Sequence, residues 1–302
     1  MTDPHHPIIG SWRALGAGLG LALAAAAPAR AEPVSLAYHD LTLTADHRVA
    51  DGAAASDPTV LLVHGTLAHN GMEIMTDTQA ALAERGLNTL AITLGLGVDA
   101  RQGSFACDQP HRHKHTDAMA EIGAWVDWLV AREVDTVVLL GHSRGGNQVA
   151  WYLTDSPAPV VTGAVLVAPA LWNARAFAQQ YEAATGRPLA DLLAEAKDQE
   201  PDTLMDLDRF LYCQEARVAA GTVLDYYGDD ARRHTPTLLG DVDVPTVVVV
   251  GTADDVVPGL MENLAGMDSD TVSVQEVEGA THYFTDLYVE DIADAVETVI
   301  DR

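Results

Sequence analysis

Positive charge is scarce in this sequence of 302 residues. Lysine and arginine number 17 against 44 aspartates and glutamates, so the formal net charge is -27. Only Lys114 and Lys197 are lysines. Such a surface repels nucleic-acid phosphates and anionic lipid headgroups, which argues against a nucleic-acid partner and against docking to acidic membranes. Two interpretations of the charge remain open, namely solubility and adaptation to high salt, where screening relieves self-repulsion.

The sequence also lacks an apolar run long enough to span a bilayer. The run from Ala14 to Ala27 is well short of the roughly 20 residues that a transmembrane helix needs. It follows Arg13 and precedes the small residues Ala29 and Ala31, a pattern typical of a signal peptide with an A-x-A cleavage site. We therefore predict a signal peptide over residues 1–31, export to a periplasm or the exterior, and no stable membrane insertion after cleavage. Residues 32–302 would form the mature domain.

Cysteine is almost absent. Cys107 and Cys213 form an even pair in a chain that we expect to reach an oxidising compartment, which favours a disulfide. Spacing alone does not show that the two residues meet, so a pair of buried thiols is the alternative. A catalytic cysteine is not expected, because the chain offers a better nucleophile.

After residue 32, short continuous apolar runs alternate with amphipathic segments. Such runs separated by helices predict an α/β fold, with a mostly parallel sheet covered by helices on both faces. The polar segment 39–55 is expected to hold an early strand pair. The predicted strands are 60–63, 89–93, 136–140, 164–168, 246–250 and 272–277, and the predicted helices are 72–84, 117–132, 147–153 and 286–300.

Residues 171–240 interrupt this alternation. They show no apolar strand run and predict short helices over 174–184, 189–196 and 204–212. We expect a small helical cap inserted over the carboxyl edge of the sheet. Aromatic residues in or beside it would either line a substrate pocket or only seal the cap; they are Trp172, Phe210, Tyr212, Tyr226 and Tyr227.

One short motif carries chemistry. Gly141-His142-Ser143-Arg144-Gly145 matches G-x-S-x-G, follows the apolar strand 136–140 and precedes a helix. A serine there lies on a tight strand-to-helix turn, exposed above the sheet, and the helix N-terminus favours developing negative charge. The chain has no G-x-G-x-x-G and no P-loop lysine, so we expect no nucleotide or other organic cofactor.

A serine nucleophile needs a base and an orienting acid. Asp254 and Asp255 follow the strand 246–250, and His282 follows the strand 272–277. With these residues the chain resembles the α/β-hydrolases over residues 58–302, whose order is serine, acid, histidine. The family's Gly-x-x-Asp-x-x-Val-Pro pattern implies that Asp254 is the acid, with Asp255 as the alternative.

The resemblance also implies an oxyanion hole. One backbone N–H would be that of Arg144, the residue after the nucleophile. The other would come from His64-Gly65-Thr66-Leu67, which is similar to the family's His-Gly-x loop. Thr66 is the expected donor, Leu67 is the fallback, and His64 is expected to be structural.

These residues predict a serine hydrolase with a catalytic Ser143–His282–Asp254 triad that acts on a small-molecule carboxylic ester through an acyl-enzyme. A thioesterase or peptidase of the same fold, or a non-catalytic binding relative, is the alternative.

A run of histidines offers a different chemistry. His111, His113 and His115 are spaced so that they could hold Zn²⁺. No H-E-x-x-H or paired C-x-x-C pattern accompanies them. We therefore expect no metal, and we interpret the run as the polar start of a helix near the rim of the active site.

Overall fold

The computed structural model describes residues 31–301, apart from positions 156 and 268. The predicted signal peptide lies outside the described residues, except for its last position. No helix in the described part of the chain has the length and apolar character needed to cross a membrane.

Strands and helices alternate along the chain much as the hydrophobic pattern predicts. The strands are β1 (Glu32–Tyr38), β2 (Leu41–Arg48), β3 (Thr59–Val63), β4 (Asn88–Thr93), β5 (Val137–His142), β6 (Val161–Val167), β7 (Leu204–Phe210), β8 (Cys213–Ala219), β9 (Thr246–Gly251) and β10 (Val272–Val277). The helices are α1 (Glu73–Glu84), α2 (Asp117–Val130), α3 (Arg144–Asp155), α4 (Ala174–Thr185), α5 (Leu189–Lys197), α6 (Ala220–Tyr227), α7 (Thr235–Leu239), α8 (Leu260–Leu264) and α9 (Tyr288–Ile300).

Eight of the described strands form one sheet, in the order β1-β2-β4-β3-β5-β6-β9-β10. The strands from β4 to β10 in this order run parallel, while β1–β2 and β2–β4 pair antiparallel. The mostly parallel sheet is therefore confirmed. The expected early strand pair is also present, although β1 lies just before the polar segment 39–55.

Helices cover both faces of this sheet, which is why its central strands are apolar throughout. On one face, Ile122 and Trp125 of α2 join Val149 of α3 in the larger core. On the other face, Met75 of α1 and Ile292 of α9 belong to a second buried cluster. The chain thus places the carboxyl ends of its parallel strands at one common edge.

The cap lies between β6 and β9 in sequence. Its helices α4 and α5 agree with the prediction, but the helix expected over 204–212 is wrong, because β7 and β8 form an antiparallel hairpin there. Buried Met205 and Leu207 alternate with exposed Asp206 and Asp208, and a period of two is the pattern of a strand. The cap is therefore a mixture of helices and one hairpin.

A disulfide joins this hairpin to the main domain. Cys107 lies in the loop before α2 and Cys213 is the first residue of β8, with their Cα atoms 5.4 Å apart. The same loop also makes a short parallel bridge to β8, because the His111 N–H donates to Arg217 O and the Ala219 N–H donates to His111 O, both at 2.8 Å. The hairpin is thus attached both covalently and by backbone hydrogen bonds.

Candidate active site

Ser143 lies at the sharp turn between β5 and α3. Its φ of 56° is in the left-handed region, which a serine rarely adopts. The turn is held by the Ser143 N–H, which donates to Val167 O on the neighbouring β6 at 2.9 Å, and by Ser143 O, which accepts from the Ala170 N–H at 3.0 Å. These contacts present the side chain at the carboxyl edge of the sheet, as the motif predicts.

The two glycines of the motif are required by close backbone approaches. A Cβ on Gly141 would collide with the backbone of Gly145. A Cβ on Gly145 would collide with the carbonyl oxygens of Val63 and His64, at the end of β3. Glycine is therefore needed at both positions so that the turn can pack against the loop that follows β3.

Asp254, and not Asp255, contacts His282. The Nδ1–H of His282 donates to Asp254 Oδ2 at 2.8 Å, and both side chains are only 4% exposed. Asp254 Oδ1 accepts from the backbone N–H groups of Val256 and Val257 at 2.8 and 2.9 Å. Burial raises the pKa of Asp254, but these hydrogen bonds outweigh it and the pKa is lowered, so the carboxylate stays ionised beside the imidazole.

Ser143 and His282 line the same cavity of about 470 Å³. No hydrogen bond joins their side chains among the described residues. Catalytic hydrogen bonds of this kind are often long without substrate and tighten when it binds. Most of the other lining side chains are apolar or aromatic, among them Met72, Ile74, Met75, Leu211, Tyr212 and Tyr283.

The remaining aromatic residues of the cap divide between the two expected roles. Tyr212 is 52% exposed and lines this cavity, whereas Phe210, Tyr226 and Tyr227 are buried and seal the cap. Trp172 lines a second cavity of about 790 Å³ that also reaches Ser143.

His142 is a positioning contact that the sequence analysis missed. Its Nε2–H donates to the backbone carbonyl of His282 at 2.9 Å, and the two imidazole rings lie 4.8 Å apart. Burial, followed by the neighbouring His282, lowers the pKa of His142 to about 4, so its imidazole is neutral at pH 7. His142 of the motif thus also holds the loop that carries His282.

The two expected oxyanion donors lie on adjoining loops. Within the described residues, the backbone N–H groups of Thr66 and Arg144 donate to no other protein group. The Arg144 side chain links the loops directly, since its Nε–H donates to Thr66 Oγ1 at 2.9 Å. An oxyanion hole requires two such free N–H groups.

His64 holds the Thr66 loop in place through hydrogen bonds. Its Nδ1–H donates to Gly65 O at 2.8 Å, and its Nε2 accepts from the Leu94 N–H and from Arg101, each at 3.1 Å. Burial, followed by Arg101, lowers the pKa of His64 to about 3. Arg101 also donates to Ala68 O at 2.8 Å, and nothing in the sequence pattern singled it out.

His111, His113 and His115 lie in the segment that leads into α2, as expected. All three side chains are buried, while Arg112 and Lys114 between them are exposed. The reason is that this segment runs extended beside β8, which points alternate side chains inward. In the part of the chain that the structure describes, no group of three or more potential ligands is placed to hold a metal.

The cluster does touch the active site at one point. His115 Nδ1 lies 3.4 Å from Nη1 of Arg144, whose guanidinium is 5.2 Å above the Tyr226 ring. His113 in turn hydrogen bonds to the Tyr226 hydroxyl at 2.9 Å. Burial is the largest cause that lowers the pKa of His113, to about 3, and that of His115, so both rings are neutral at pH 7.

Comparison with known proteins identifies one matching family and many solved structures of similar fold. A family model described as "Alpha/beta hydrolase family" matches residues 60–296. No curated protein matches the chain.

The related solved structures include esterases and a lipase. Est1E from Butyrivibrio proteoclasticus is 17% identical, covers 89% of this chain and 99% of its own, and gives a TM-score of 0.61. The Pyrococcus furiosus esterase Pf2001 is 15% identical over 91% of this chain and 93% of its own, with a TM-score of 0.57. The Paleococcus ferrophilus monoacylglycerol lipase is 20% identical over 80% and 94%, with a TM-score of 0.55. At such low sequence identity, the likeness to these structures shows a shared fold and no more.

Proposed function

The chain belongs to the alpha/beta hydrolase family, and we propose that within it the protein is a serine hydrolase of carboxylic esters. The observation that carries the proposal is the convergence of Ser143, on its strained turn, and the hydrogen-bonded pair His282–Asp254 at one cavity. The esterases and the lipase among the related structures support an ester as the substrate.

The proposed reaction uses these groups in two steps. His282 Nε2 removes the proton from Ser143 Oγ as the oxygen attacks the ester carbonyl, and Asp254 holds the imidazole in the tautomer with hydrogen on Nδ1. The N–H groups of Thr66 and Arg144 stabilise the oxyanion. His282 then protonates the leaving alcohol. In the second step, water activated by His282 releases the acid and restores Ser143.

We propose in addition that the protein acts after export. The disulfide between Cys107 and Cys213 supports this, because such bonds persist in oxidising compartments and are rare in the cytosol. A small-molecule ester is the proposed partner, and the triad chemistry requires no cofactor.

A panel of p-nitrophenyl esters from acetyl to palmitoyl tests the proposal. Ser143→Ala is expected to reduce turnover by on the order of a million-fold. Ser35→Ala is the matched control, because Ser35 is exposed on the edge strand β1, far from the motif in the sheet. A fluorophosphonate should label the wild type and Ser35→Ala but not Ser143→Ala.

Activity that survives in Ser143→Ala would refute the proposed nucleophile. Labelling of Ser143 without hydrolysis of any ester in the panel would refute the ester specificity and move the substrate to thioesters or peptides. No labelling at all would indicate a non-catalytic relative.

A further inference from the structure

Two cavities meet at Ser143, and they differ in which catalytic groups they contain. Both are lined by Thr66, Ser143 and Arg144, but only the first also contains His282. The second, of about 790 Å³, extends beneath α4 and is lined by Trp172, Arg175 and His234. Arg144 therefore borders both spaces beside the nucleophile, and Arg175 borders the second alone.

The position of His282 assigns a part of the substrate to each cavity. In ester cleavage the histidine that accepts the serine proton must deliver it to the leaving oxygen, so the alcohol has to lie beside that histidine. The alcohol then occupies the first, more apolar cavity. The acyl chain, on the other side of the attacked carbonyl, extends into the second cavity.

The second cavity lacks negative charge in a strongly acidic chain. Of the 44 aspartates and glutamates in the sequence, none is among the described residues that line it. Two guanidinium groups do line it, those of Arg144 and Arg175. No salt bridge joins either one to a carboxylate in the described ranges.

Arg144 is the better placed of the two cations. Its hydrogen-bond partners, Thr66 Oγ1 and His115 Nδ1, are uncharged, and its guanidinium faces the ring of Tyr226. A guanidinium at a partly desolvated site, with no carboxylate in direct contact, gains most from an anion that arrives with the ligand. Arg175 is exposed in the first turn of α4, whose peptide dipoles also favour negative charge.

We infer that the acyl part of the substrate carries a carboxylate, so that the preferred substrates are half-esters of dicarboxylic acids whose free carboxylate contacts Arg144 and Arg175. The inference rests on the proposed ester hydrolysis and specifies its substrate class. The net charge of -27 does not prevent the binding of a carboxylate at short range. At physiological ionic strength the Debye length is about 8 Å, so exposed carboxylates outside the cavity are screened more strongly than the guanidinium within it.

The test compares two esters that differ in charge alone. Benzyl hydrogen adipate ends in a carboxylate, and benzyl adipamate ends in a primary amide of nearly the same size. Release of benzyl alcohol gives kcat/KM for each ester. We expect the wild type to favour the anionic ester by about tenfold or more, the value of a charge-assisted hydrogen bond. The preference should appear mainly in KM, because the carboxylate is bound equally in the ground state and the transition state.

Three arginine variants then locate the effect. Arg144→Gln keeps the backbone N–H and should bring the ratio of kcat/KM for the two esters close to one. Arg175→Gln should lower the ratio by about threefold, because exposed charge pairs are worth less. Arg217→Gln removes the same charge from an exposed position on β8 outside both cavities and should leave the ratio unchanged.

The failures of the two proposals are distinguishable. If benzyl adipamate is hydrolysed by the wild type and not by Ser143→Ala, while the anionic ester shows no advantage, the half-ester inference is overturned and the proposed function stands. An advantage that persists equally in Arg144→Gln and Arg175→Gln also overturns the inference. If neither ester is hydrolysed and fluorophosphonate does not label Ser143, both proposals are wrong.

Discussion

Acid should destabilise this protein at a pH well above that at which its carboxylates titrate. Burial is the largest cause that lowers the pKa of five histidines, to about 3 for His64 and His113, to about 4 for His111 and His142, and well below 6.5 for His115. All five side chains are at most 5% exposed. On unfolding, each imidazole regains an ordinary pKa of about 6.5 and binds a proton below that pH.

The direction of the effect follows from proton counts. Below pH 6.5 the unfolded chain binds more protons than the folded one, so the stability that these groups contribute is complete above pH 6.5 and is lost as the pH falls toward the folded pKa values. Between pH 7 and 5.5 each histidine costs a little over about 1 kcal/mol, so the five together cost about 6 kcal/mol.

The carboxyl group of Glu121 opposes this loss. Burial is the largest cause that raises the pKa of Glu121, to about 7, so the folded state holds a proton there that the unfolded state releases. Over the same pH range this returns about 1–2 kcal/mol. The net loss is therefore about 5 kcal/mol, a large fraction of the 5–15 kcal/mol that stabilises a typical domain.

Urea unfolding followed by tryptophan fluorescence at pH 7.0, 6.5, 6.0 and 5.5 measures this dependence. The free energy of unfolding should fall with an average slope of about two protons, which steepens from below about one proton at pH 7 to between about three and four at pH 5.5. In His113→Gln the slope at pH 5.5 should decrease by about one proton, whatever the effect of that variant on stability at pH 7. In Ser35→Ala, which removes no titratable group, the slope should not change. A wild-type slope below about one proton at pH 5.5 would refute the reasoning.

Three further changes should have distinct signatures. Asp254→Asn should lower kcat for ester hydrolysis about 10⁴-fold, because the imidazole loses its correct tautomer. The double variant Cys107→Ala/Cys213→Ala should lower the free energy of unfolding by about 2–5 kcal/mol in urea titrations, since the bond closes a loop of 106 residues. Gly145→Ala should lose most ester hydrolysis and about 1–3 kcal/mol of stability, because its methyl group meets backbone carbonyl oxygens, whereas Gly240→Ala, whose Cβ meets nothing within 4 Å, should retain both.

The predictions that rested on local signals agree with the structure. The strands were predicted within a few residues, because a sheet covered on both faces needs continuous apolar runs. The fold class and the resemblance to α/β-hydrolases are confirmed. The structure also shows that Asp254, and not Asp255, hydrogen bonds to His282, a contact that no sequence pattern displays. The catalytic roles of these residues stay predictions.

What the sequence could not supply depends on contacts between distant segments. The hairpin β7–β8 was mistaken for a helix because leucines at 204, 207 and 211 also fit helical spacing. The inward direction of His111, His113 and His115 depends on their pairing with β8, about a hundred positions later. The link from Arg144 to Thr66 likewise joins two loops that only the sheet brings together.

The attachment of the cap has a consequence for how substrates enter. An insertion held only at its two chain ends can rotate away from the main domain about those two connections. Here the bond from Cys213 to Cys107 adds a third anchor on the far side of the insertion. Ligands then enter through the opening of the cavity beside Tyr212 and Tyr283, both about half exposed. In a reducing environment only the backbone bridge from His111 to β8 would remain of this attachment, so the freedom of the cap to move would depend on the redox state of its surroundings.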